Sequence, residues 1–190
     1  MDGKMKVFIA GSRRLSKLSK DVKRRIDNIV DKELTVVVGD ANGVDKAVQR
    51  YLSRRHYDNV IVFCMDGGCR NNIGKWPTRV IVAAHPERKD FAYFSTKDRA
   101  MVEEADYGLM LWDGQSRGTL TSIVNLIRNR KPLVVYVSTD KTFYTLRQSS
   151  DLAAMSGRID SAALQLIDRE LHFSPLDAPS SRRSENISLF

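Results

Sequence analysis

A chain of 190 residues with 42% hydrophobic and 28% charged side chains is long enough for one well-cored domain and has an ordinary globular composition. No apolar run approaches the roughly 20 residues that cross a bilayer, and no signal-peptide core precedes the first strand, so a cytoplasmic protein with no membrane association is expected. A net charge of +8, with nine Lys and Arg against Asp2 and Asp21 in the first 25 residues, reads first as a solvated helix face with one or two arginines aimed at a bound phosphate, and second as a patch that attracts nucleic acid.

Residues 5–10 predict a first strand. From about Ser19 to Lys32, the residues Val22, Ile26, Ile29 and Val30 fall on one stripe, the spacing of an amphipathic helix. Residues 34–38 are nearly all β-branched, as suits a central parallel strand buried on both faces. The helical stripe returns from Gly43 to about Arg54 through Val44, Ala47, Val48, Tyr51 and Leu52, and residues 59–63 predict a third strand. Alternation then breaks over residues 66–94, an irregular insertion rich in Gly, Asn, Arg, Pro and His. Its length points to a functional or mobile segment, and its apolar run 79–83 predicts an extra strand. Cys64 and Cys69 are read as ordinary thiols, because a reducing compartment opposes a disulfide; with three histidines at no ligand spacing, no metal site is expected.

Helical spacing resumes from about Ser95 to Glu104, residues 106–112 predict a fourth strand, Arg117 to Asn129 a helix, and residues 132–137 a fifth strand. One or two helices are expected beyond it, the clearer from Ser161 to Leu171, and the Ser-, Pro- and Arg-rich residues 173–190 read as a disordered tail. Strands alternating with helices through right-handed crossovers give an α/β fold: a single Rossmann-like doubly wound parallel sheet of about five strands in the order 3-2-1-4-5, spanning residues 1–172. The first and fourth strands then flank the topological switch point, where ligands of such sheets bind.

Three strand ends share one design, an apolar run that stops at glycine and small polar residues: Gly11-Ser12-Arg13, Gly39-Asp40-Ala41-Asn42-Gly43-Val44-Asp45 and Asp113-Gly114-Gln115-Ser116-Arg117-Gly118-Thr119. Each precedes a helix N-terminus, whose unpaired N–H groups and partial positive charge attract phosphate. Gly11, Gly39, Gly43 and Gly118 permit close backbone approach, Ser12, Ser116 and Thr119 add hydroxyl donors, and Arg13 or Arg117 offers a bidentate clamp. Asp40 beside Ala41 is assigned to ribose hydroxyls or a base, since phosphate would repel it; Asp45 is read either as a ligand contact or as a cap. Trp76, Tyr93, Phe94 and Trp112 are candidate stacking surfaces, with Trp112 foremost. His85, inside the insertion, is a lid candidate, and His56 and His172 are read as surface residues.

The series Gly11-Ser12-Arg13, Gly39-Asp40-Ala41-x-Gly43-Val44-Asp45, Lys97-Asp98-x-x-Met101, Asp106 and Ser116-x-Gly118-Thr119 resembles the SLOG superfamily over residues 5–137. That group includes the lonely-guy phosphoribohydrolases and DNA-processing protein A. The resemblance implies a nucleotide or nucleotide-derivative ligand on these loops, Lys97 among its contacts, and a homodimer. Lonely-guy enzymes cleave the N-glycosidic bond of nucleoside 5′-monophosphates with a paired Arg and Glu. Here Lys97-Asp98 stands in the place of the arginine motif, and Leu120-Thr121-Ser122 follows Thr119 where that glutamate would be. Asp98 and Asp113 are the remaining carboxylates for such chemistry. Nucleotide binding therefore ranks first, N-glycoside hydrolysis or transfer second and single-stranded DNA binding third, with no cofactor implied.

Overall fold

The computed structural model describes residues 4–83, 91–159 and 165. Seven strands form one sheet: β1 (Lys6–Gly11), β2 (Thr35–Gly39), β3 (Val60–Met65), β4 (Thr78–Ile81), β5 (Tyr107–Trp112), β6 (Leu133–Val137) and β7 (Thr142–Leu146). Their order is β4-β3-β2-β1-β5-β6-β7, parallel throughout except for β7, which pairs antiparallel with β6. The anticipated five strands are the inner ones, in the anticipated order. The two additional strands lie at the edges.

Among the described residues four helices, α1 (Lys20–Asp31), α2 (Val44–Arg54), α3 (Phe91–Glu104) and α4 (Arg117–Arg128), cover the two faces. Period-2 alternation along the strands sorts the core in the same way. Phe8, Val37, Phe63, Met110 and Val135 pack with residues of α3 and α4, whereas Val7, Ile9, Val36, Val38, Leu109 and Val134 pack with residues of α1 and α2. Phe8, Phe63 and Trp112 are fully buried, each contributing about 2 to 3 kcal/mol of apolar transfer. α1 begins at the Ser19 cap, whose hydroxyl accepts from the Val22 N–H at 3.2 Å, and buries Val22, Ile26 and Ile29.

Beyond β6 the chain does not pass into an α-helix. A turn ending at Lys141, in the left-handed region with φ 55°, reverses the chain into β7. There Leu146 is fully buried while Thr142 is exposed. A 3-10 segment (Ser149–Arg158) follows and inserts Leu152 and Met155 into the core. The helix expected over Ser161–Leu171, the tail 173–190, His85 and His172 lie outside the described residues, apart from Gln165, which is helical.

The thiol reading of the cysteines is corrected by the fold. Cys64 at the end of β3 and Cys69 form a disulfide with Cα atoms 5.0 Å apart. Gly67 and Gly68, with φ of 99° and 101°, turn the chain back sharply enough to bring them together. The apolar run of the insertion forms β4, whose Pro77 and Ile81 carbonyls accept from Val62 and Asp66 of the neighbouring segment. β4 has no strand on its other side among the described residues, and Val80 and Val82 there are exposed. No described helix is long and apolar enough to cross a membrane.

Candidate functional site

The chain leaves β1 outward through β2, β3 and β4 and returns by α3 to β5, so the winding reverses between β1 and β5. A cavity of about 490 Å³ opens where these strands end. Its wall includes Gly11 and Arg13 from the first turn, Ala41 and Asp45 from the second, and Ser116 to Thr119 from the third.

The turns are packed together through their glycines. A Cβ at Gly11 would collide with the Leu111 carbonyl of β5, and one at Gly43, which has φ 84°, would collide with the backbone of Arg13. Ser12 is fully buried. Its N–H donates to the Leu111 carbonyl at 3.0 Å and its hydroxyl accepts from the Asp113 N–H at 3.2 Å, so it ties the first turn to the third and is absent from the cavity wall.

Asp40 is 1% exposed and spends its carboxylate inside the protein. Lys97 donates to it at 2.7 Å, and Arg70 donates its backbone N–H at 3.0 Å, Nε at 3.2 Å and Nη2 at 2.8 Å. Burial alone would raise its pKa, but the Arg70 and Lys97 donors outweigh it and hold the carboxyl far below the usual range. The Asp40 carboxylate, anticipated as a sugar or base contact, is engaged by the buried Lys97 and the partly exposed Arg70, and neither Gly39 nor Asp40 is on the cavity wall. A Cβ on Gly39 would strike the Asp45 carboxylate and crowd the Lys97 ammonium. Asp45 accepts from the Ala41 N–H at 3.1 Å, holding its own turn, and also reaches the cavity wall. Burial pushes its pKa up to about 6, against the opposing pull of Lys97 and that N–H.

The two candidate catalytic carboxylates differ sharply. Asp113 accepts from the N–H groups of Gln115 at 3.0 Å and Ser116 at 2.8 Å, shaping the turn that positions α4. Burial would raise its pKa, but these N–H groups bring it below the ordinary value. The Asp98 carboxylate lines the cavity and accepts no hydrogen bond among the described residues. Burial raises its pKa, with Lys97, Arg13 and Arg70 pulling the other way.

Ser116 caps α4, its hydroxyl accepting from the Thr119 N–H at 3.4 Å and the Thr119 hydroxyl at 3.0 Å. Arg14 spans the mouth and donates to Gln115 at 2.8 Å. Nothing lies within 4 Å of the Cβ position of Gly118, so the first turn of α4 opens into the cavity. On the facing wall, the guanidinium carbons of Arg13 and Arg70 sit 5.3 and 5.2 Å from the ring centroid of Phe94. Sequence reasoning named Phe94 but missed Arg14, Arg70 and Gln115. The preferred stacking residue, Trp112, is instead buried, its Nε1 donating to the Ser116 carbonyl at 3.1 Å. Trp76 is likewise buried, donating to the Tyr57 carbonyl at 2.8 Å. No group of three or more potential metal ligands occurs among the described residues.

No protein-family model matches the chain, and no curated protein does. Among solved structures it is similar to DNA processing protein A from Helicobacter pylori, whose structure describes a single-stranded DNA binding mode of that protein. The two share 17% identity at a TM-score of 0.57, over 90% of this chain and 82% of that one. DNA processing protein A from Streptococcus pneumoniae is similar at 16% identity and a TM-score of 0.51, over 70% of this chain; the match spans half of that protein. At these identities the likeness establishes a shared Rossmann-like fold.

Proposed function

We propose that the protein binds a nucleotide by its phosphate, seated against the first turn of α4 and clamped by Arg13 and Arg117, with the base against Phe94. The observation that carries this reading is the junction of three features in one cavity. They are an open helix N-terminus at Ser116–Thr119, an aromatic ring flanked by two guanidinium groups, and a position at the switch point between β1 and β5. Helix dipole, backbone N–H groups and arginine all favour a dianion there, whereas the carboxylates Asp45 and Asp98 suit hydroxyl or amine donors away from it.

A second reading has the phosphate carried by single-stranded DNA. It is supported by the fold shared with the Helicobacter pylori protein and by the pairing of arginine with an aromatic ring, which suits bases stacked along a strand. Calorimetry with AMP, GMP and dTMP tests the main reading. One saturable site is expected, weakened about tenfold or more in Arg13→Met, which removes a charge-assisted hydrogen bond to the phosphate. Absence of binding to folded protein at millimolar nucleotide would remove it. Anisotropy of a labelled oligothymidylate, with AMP as competitor, decides whether a strand occupies the same cavity.

A further inference from the structure

A second concavity, of about 290 Å³, lies between α1 and α2, outside the site described above. Its wall carries Lys17 from the loop before α1, Lys23 from α1, and Arg50 and Arg54 from α2, together with Tyr51; no carboxylate lines it. Arg50 and Arg54 stand four residues apart on one face of α2, an arrangement in which like charges repel. Lys17, Lys23, Arg50 and Arg54 enter no ion pair among the described residues. Lys23 rests 5.8 Å from the centroid of the Tyr51 ring. Asp27, a carboxylate near that ring, is already engaged: it accepts from the Tyr51 hydroxyl at 2.8 Å and pairs with Arg55 at 3.3 Å. Four cations thus converge on a concave surface whose wall holds no carboxylate, an arrangement that concentrates anions.

The two concavities share one loop. Arg13 and Arg14 lie on the first and Ser16, Lys17 and Leu18 on the second. Three residue steps from Arg14 to Lys17 span at most about 11 Å, so one extended molecule can reach both.

We propose that the α1/α2 concavity is a second phosphate site, and that the two sites together hold successive phosphates of one single-stranded oligonucleotide. This rests on the reading of the first cavity as a nucleotide phosphate site and names the larger ligand that the site serves. Lys17, Lys23, Arg50 and Arg54 neutralise phosphates without reading bases, so the preference is for chain length and charge rather than sequence.

The test compares wild type with the double variant Arg50→Gln, Arg54→Gln, in which both substituted side chains are exposed and thermal melting verifies folding. Affinity for a labelled 12-residue oligothymidylate and for AMP is measured across a salt series, with inorganic tripolyphosphate as competitor. Wild type is expected to bind the 12-mer at least tenfold more tightly than AMP. The variant is expected to forfeit most of that advantage, to show a log–log salt slope shallower by about 0.7 for each phosphate no longer neutralised, and to bind AMP unchanged. A 12-mer affinity and slope unchanged in the variant would overturn the proposal. So would equal weakening for AMP and the 12-mer, or tripolyphosphate competing as strongly as the strand. If wild type binds neither AMP nor the 12-mer, it is the nucleotide reading itself that fails; AMP binding without a 12-mer advantage removes only the second site.

Discussion

Lys97, 3% exposed, sits where Asp40 and the Gly39 turn meet and also lines the cavity, and its replacement tests the ion triad. Lys97→Met leaves Asp40 buried with half of its compensation gone, which costs about 3 kcal/mol in chemical denaturation. Adding Asp40→Asn to that variant removes the uncompensated charge, and the double variant recovers part of the deficit. Asp45 behaves in the opposite sense. Its carboxyl holds a proton more tightly folded than unfolded, so its contribution to stability falls as pH rises from the ordinary 3.8 to about 6 and is flat above. Asn keeps the acceptor for the Ala41 N–H without the charge. Asp45→Asn is therefore expected to be more stable than wild type at pH 7.5, by on the order of 2 kcal/mol, with the gain gone at pH 4. Urea melts at the two pH values check it, and equal differences at both would show that the charge is irrelevant. Asp98 offers a third case. An ionised carboxylate there opposes a phosphate in the same cavity, so Asp98→Asn should tighten inorganic phosphate binding, with the gain growing as pH rises, read by calorimetry at several pH values. Such residue roles are only partly legible in the sequence. The Asp40 side chain resembles a ligand contact there because its partner Arg70 lies 30 residues away in an irregular stretch, and no local periodicity announces such a pairing.

At the scale of elements, the segment from Asp66 to Trp76 is the part of the insertion that completes the site. It carries Arg70 onto Asp40, while Asn71 donates to the Asp40 carbonyl at 2.7 Å. Gln49 of α2 donates to the Asn71 carbonyl at 3.1 Å and accepts from the Ile73 N–H at 3.0 Å. The Cys64–Cys69 disulfide closes a short loop at the start of that segment, and its removal releases about 2 kcal/mol of loop-closure entropy to the unfolded chain. Cys64→Ser with Cys69→Ser should lower stability by that order. Wild type in reductant should match the variant, and a melt unmoved by reductant would refute this. The inner strands are readable from sequence because fully apolar runs such as Val36–Val38 can only be buried. β7 is not, because Thr142–Leu146 (Thr-Phe-Tyr-Thr-Leu) is only five residues long, neither wholly apolar nor strictly alternating, and follows a turn whose left-handed residue is lysine rather than glycine.

For the molecule as a whole, the doubly wound topology explains why the site is easier to locate than to describe. Strand order alone puts the β1 and β5 turns side by side, so Gly11, Arg13 and Ser116–Thr119 come together before any side-chain geometry is known. The wall opposite α4, with Phe94, Asp98 and Arg70, depends on how α3 crosses the sheet and how the insertion folds back, and neither is set by local sequence.

The side of β4 that pairs with no described strand carries a separate consequence. Because the Pro77 and Ile81 carbonyls face β3, the backbone groups of residues 78, 80 and 82 point away from the sheet beside the exposed Val80 and Val82 side chains. Such a margin is a template for accretion, on which one chain can extend the sheet of the next as concentration rises. Val82→Lys should delay the onset of light scattering on concentration while leaving the melting temperature unchanged. Colloidal behaviour would then be governed at the edge of the sheet farthest from β7, by two valines remote in function from the cavity.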